Sequence, residues 1–176
     1  MAKRHDALIP LSHDHQKALM LAFRLLHPSP PGPETPTTPA STPQQRREEV
    51  LAFFETHLVE HFAIEEEILF PVLRASGVGL EPLVDELCED HRRMRSARDR
   101  VAQAGDEAQL CRALEDFGQL LEAHVRREER EMFAGFPGAL PGDDVRELHE
   151  RIHARRPPDE PWRRRNAPIS VRRRIS

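Results

Sequence analysis

The sequence predicts an all-α protein: an antiparallel up-down four-helix bundle with a short fifth C-terminal helix and a disordered basic tail. Two observations carry this. Apolar residues recur with helical period along almost every ordered stretch, and no run alternates apolar and polar residues for the length of a strand. The connections after the first are short, which favours antiparallel neighbours.

The first helix is expected over residues 12–26, with Ser12 as N-cap and Asp14 in the first turn. Its apolar stripe is Leu19, Ala22, Phe23 and Leu26, with His15 one turn earlier. Seven prolines fall between Pro28 and Pro43, so residues 28–45 should form an extended, mobile loop. A second helix follows over residues 45–73, with Val50, Phe53/Phe54, His57, His61, Glu65, Ile68/Leu69 and Val72 on one face. Pro71 should kink its last turn, and Gly77 and Gly79 break the chain.

The third helix is expected after Pro82, to about Ala104, with Val84, Leu87, His91, Met94/Arg95, Arg98 and Val101 in line. The fourth spans residues 107–133, carrying Leu110, Leu114, Phe117, Leu120/Leu121, His124, Glu128 and Met132. A short fifth, residues 143–155, rests on Val145, Leu148 and Ile152 and stops at Pro157-Pro158. One domain, residues 1–155, and a disordered Arg-rich tail, residues 156–176, result.

Charge and composition exclude several classes. No apolar run approaches the ~20 residues that span a bilayer, so no membrane is expected. The first residues lack the apolar stretch of a secretory signal, and two cysteines, Cys88 and Cys111, suit a reduced cytoplasm without a disulfide. The net charge of −4 divides into an acidic body and a tail with eight arginines from Arg155 onward. Nucleic acid is therefore not expected as a partner, except through that tail. There is no tyrosine, which removes phenolate ligands and tyrosyl radicals.

The chemistry lies in ten histidines. Each long helix places one on its apolar stripe: His15, His61, His91 and His124. Two of these are followed one turn later by a glutamate, in His61-Phe-Ala-Ile-Glu65 and His124-Val-Arg-Arg-Glu128. The i, i+4 spacing sets both side chains on one helix face. Burying four imidazoles and two carboxylates is costly unless something pairs them, and a metal pair would do so. In an antiparallel bundle the six residues share roughly one layer. Imidazole with carboxylate suits iron, manganese or zinc. The Glu-x-x-His spelling of ferritin-like di-metal bundles occurs once, at Glu150-Arg-Ile-His153.

The segments Pro10-Leu-Ser-His-Asp-His15, His61-Phe-Ala-Ile-Glu-Glu-Glu-Ile-Leu-Phe-Pro71, Glu89-Asp-His91 and His124-Val-Arg-Arg-Glu-Glu129 resemble the hemerythrin-like (HHE cation-binding) family. The resemblance implies a non-haem di-iron centre (Fe2+/Fe3+) that binds or senses oxygen, iron or related small oxidants. Glu65 and Glu128 would bridge the ions, and the four histidines complete them. The family's oxygen carriers have a second histidine one turn after the third-helix ligand, where this chain has Arg95. The remaining set looks more like the iron- and oxygen-sensing members, in which an unidentified protein partner could read the metal state. His13, His57 and Arg95 are the additional candidates for support or ligation.

Two alternatives follow from the residues. A metal-free helical interaction module would use its basic tail. A zinc hydrolase would use His57-Leu-Val-Glu60-His61, the inverted zinc-peptidase spelling, with Glu60 as base.

Overall fold

The computed structural model describes residues 6–28, 41–136 and 140–155. The expected Arg-rich tail and most of the Pro-rich loop lie outside them. Among the described residues the fold is entirely helical. A 3-10 turn, Asp6–Leu8, leads into α1, Ile9–Leu26. Four further helices follow: α2 over residues 43–75, α3 at Glu81–Gln103, α4 over residues 107–135 and α5 at Gly142–Arg155.

The helix starts correct two expectations. Ser12 is no cap: α1 begins three residues earlier at Ile9, and Pro10 sits in its first turn, where a missing N–H costs nothing. Pro43 likewise belongs to α2, not to the loop. Thr42 caps it, its hydroxyl accepting from Gln45 N–H while the Gln45 side chain accepts from Thr42 N–H. Asp106 caps α4 by accepting from Gln109 N–H.

The pairs α1–α2, α2–α3 and α3–α4 are antiparallel, as ion pairs between them show. Arg24 late in α1 meets Glu49 early in α2. Arg74 late in α2 lies 2.6 Å from Asp85 early in α3. Arg127 late in α4 lies 3.2 Å from Asp90 early in α3. The first helix closes the bundle against the fourth, and at Gly118 a Cβ would stand 3.1 Å from Leu25 Cβ. Glycine is what lets α1 and α4 come this close.

Residues α2 buries at Val50, Phe54, Leu58 and Phe62 are each four apart. In a regular helix that spacing overshoots a turn by about 40° each time, so the stripe would wind off the core. The helix corrects it by widening. Val59 N–H bonds Phe54 C=O and Phe70 N–H bonds Glu65 C=O, closing π-type turns at Phe54–Leu58 and Glu65–Leu69. The first turn brings Leu58 inward, so the place expected for His57 goes to leucine. The second precedes Pro71, which the helix absorbs before ending at Ala75. A third π turn, Glu128–Met132, widens α4.

The stripe of α1 also differs from expectation. Leu11, His15, Ala18, Leu21, Ala22 and Leu25 are buried, while Phe23 is 62% exposed. On α3, Ala97 is buried in the place expected for Arg98.

The core is in two parts. One gathers Leu21, Val50, Phe54, Val101, Leu114 and Phe117. The other gathers Leu8, Ile68, Phe70, Leu87, Met132 and, from α5, Leu148 and Ile152. A buried polar layer lies between them.

Candidate metal centre

That layer contains His15, His61, Glu65, His91, His124 and Glu128, each at most 2% exposed. The structure thus brings together all six residues expected from the sequence, one histidine from each of α1 to α4. They form two overlapping groups: His15, His61, Glu65 and Glu128, and Glu65, His91, His124 and Glu128. Within each group the ligand-type atoms lie within 4.8 Å of one another.

Both glutamates are shared, and each divides its oxygens between the groups. Glu65 Oε1 lies 3.3 Å from His61 Nε2, and its Oε2 lies 3.3 Å from His91 Nε2. Glu128 Oε1 lies 3.3 Å from His124 Nε2, and its Oε2 lies 3.0 Å from His15 Nε2. The two glutamates each open a π turn, so the widened backbone helps aim them inward.

Behind each imidazole stands a carboxylate. Glu129 Oε1 is 2.7 Å from His15 Nδ1, and Glu66 Oε1 is 2.7 Å from His91 Nδ1. Asp14 Oδ2 is 3.6 Å from His61 Nδ1, and Asp90 Oδ2 is 3.9 Å from His124 Nδ1. At hydrogen-bond distance, as at His15 and His91, such a carboxylate fixes the tautomer that leaves Nε2 free to ligate, while those behind His61 and His124 stand farther off. The four contacts run round the bundle, from α1 to α2, α2 to α3, α3 to α4 and α4 back to α1. The sequence shows why. Asp14-His15 recurs as Asp90-His91, and His61-x-x-x-Glu65-Glu66 recurs as His124-x-x-x-Glu128-Glu129.

Asp14 and Asp90 were not among the expected site residues. The signal that could have found them is the Asp-His pair repeated on α1 and α3. Of the additional candidates, His13 is exposed and joins neither group. His57 stacks on Phe53 and shares a 2.7 Å hydrogen bond with Thr56, away from the centre. Arg95 is exposed, but its Nη2 donates to Glu66 at 3.0 Å, so it touches the centre through Glu66 and His91. Glu60 does not face the cluster; Arg155 holds it at 2.8 Å. The inverted zinc-peptidase site is therefore not assembled. Cys88 is half-buried and Cys111 is exposed, and neither is in a disulfide.

Electrostatics reflect the crowding. Burial alone would lower the pKa of His61, but the Glu65 carboxylate overrides it and raises it to about 10. His15 and His91 are raised against the same burial, by Glu128 and Glu129 and by Glu65 and Glu66 respectively. Glu65 is held well below the ordinary carboxylate range, because His61 outweighs the opposing effect of burial. The His91 hydrogen bond lowers Glu66, and the His124 contact lowers Asp90.

Both oxygens of Glu65, both of Glu128 and Nε2 of His91 and His124 are buried without a properly angled hydrogen bond. Such groups are rare in folded proteins and ask for a partner. All of them face the shared centre, and all are cation ligands by type. Phe62 stacks on His91 at 3.9 Å and Phe133 on His15 at 5.1 Å, closing the cluster with apolar rings.

A helix bundle with a buried cluster of four histidines and two shared glutamates is compatible with cation binding. The hemerythrin HHE cation-binding domain matches residues 6–136, and the chain belongs to that family. No curated protein and no solved structure matches it. No helix among the described residues is long and apolar enough to cross a membrane.

Proposed function

We propose that the protein holds two iron ions at this centre and uses them to bind or sense oxygen, iron or a related small oxidant. The observation that carries the reading is the division of Glu65 and Glu128, one oxygen toward each histidine pair. Two cations satisfy carboxylates shared in this way; one would leave two imidazoles without a partner. Manganese or zinc would also suit the ligand types. Iron, when bound, supplies one-electron chemistry toward oxygen.

The chain's own residues have separate tasks. His15 and His61 would hold one ion and His91 and His124 the other, with Glu65 and Glu128 serving both. Glu129, Asp14, Glu66 and Asp90 orient the four rings. Phe62 and Phe133 keep bulk water out, which strengthens every charge interaction inside. Arg95 stands where the family's oxygen carriers place a further histidine, and it engages Glu66 instead. This supports sensing or oxidation over simple reversible carriage.

The test is anaerobic reconstitution with ferrous iron, with metal counted per chain and optical spectra taken before and after air. Two irons and an oxygen-dependent near-ultraviolet band, both lost in His61→Ala, are expected. One zinc, or no metal and no response to chelators, would overturn the reading.

A further inference from the structure

Helix α5 carries a feature that the buried centre does not use. His149 and His153 are spaced i, i+4, which places both imidazoles on one face. Their rings stack, with centroids 4.0 Å apart and planes 27° apart. Both are half-buried, so solvent reaches them.

The backbone beneath them is fixed. Leu148 and Ile152 sink into the core, at 1% and 0% exposure. Arg155 ties the last turn to α2, donating to Glu60 from two nitrogens at 2.8 and 3.1 Å and to Glu67 at 2.5 Å. His153 Nε2 also lies 3.5 Å from the Asp6 carbonyl oxygen. The two rings are thus held close together before any ligand arrives. With Glu150 they read His149-Glu-Arg-Ile-His153, the helical spacing by which two imidazoles take one zinc.

We propose that His149 and His153 form a second metal site, on the surface, chelating one divalent transition-metal ion of the copper, nickel or zinc type. Imidazole is the ligand these ions favour. Among the described residues no third histidine, thiol or carboxylate joins the pair. Catalytic zinc sites use three protein ligands, and the proposal for these two is metal binding alone. The proposal does not depend on what occupies the buried cluster.

The test is a Cu2+ titration of the iron-loaded protein, followed by electron paramagnetic resonance. One further copper per chain is expected, with hyperfine structure from nitrogen ligands. His149→Ala and His153→Ala should each weaken it on the order of 100-fold, since either removes the chelate. His91→Ala, which alters the buried centre, should leave the surface copper unchanged, so the two sites fail independently. No additional copper, or copper retained at full strength in either α5 variant, overturns the proposal.

Discussion

Glu66 accepts a hydrogen bond from His91 Nδ1 at 2.7 Å and holds that imidazole with its Nε2 toward Glu65. The pair shows how the centre is built: the ring that faces inward is aimed by a carboxylate farther out. Glu66→Gln keeps the shape but loses the charge. Metal affinity should fall about 10- to 100-fold, the usual cost of removing such support, with helicity unchanged. Equilibrium dialysis against a competing chelator reads this directly.

The shared glutamates and the paired histidines should fail differently. Glu65→Gln or Glu128→Gln withdraws a charged ligand from both groups. His124→Ala touches only one. Elemental analysis after desalting should give near zero metal for the glutamate variants and about half the wild-type content for His124→Ala. Equal losses in all three would contradict two overlapping groups.

Proton linkage follows from the histidines. His61 is raised to about 10 by Glu65 despite its burial. A raised pKa means the protonated pair contributes stability below the unfolded value of about 6.5. That contribution fades as pH rises through about 10. The metal-free protein should therefore lose thermal stability between pH 7 and 10. Metal must displace the same proton, so affinity should rise with pH and loading should release protons. Calorimetry in buffers of different ionisation enthalpy measures the release.

Metal should also stabilise the fold. Ligand binding to the folded state alone adds about 2.7 kcal/mol at 100 times the dissociation constant. The loaded protein should melt several degrees above the stripped one. Identical melting curves would favour the metal-free interaction module.

Gly118 sets the distance between α1 and α4. In Gly118→Ala the new Cβ would meet Leu25 Cβ at 3.1 Å, and that atom is fixed to backbone. Overpacking of this kind costs about 1–3 kcal/mol, against a gain in helix propensity of about 1 kcal/mol. A net loss of stability is expected in urea titration.

Most of the architecture was legible in periodicity, and the six central residues were legible because an imidazole or carboxylate on an apolar stripe is expensive. What escaped had a common cause. A regular helical wheel cannot show a π turn, so His57 was placed on the inner face that Leu58 occupies. It also cannot show which residues reach across helices. Asp14 read as a first-turn acid and Arg95 as a stripe residue, because their partners, His61 and Glu66, are on other helices.

Asp-His on one helix and His-x-x-x-Glu-Glu on the next make each hairpin, α1–α2 and α3–α4, half of the ligand set. Neither half can saturate an ion, since each histidine pair needs the glutamate of the other hairpin. A chain cut between Ser76 and Leu80 would therefore yield two fragments that share both apolar cores, and metal should tighten their reassembly, turning the centre into added glue between them.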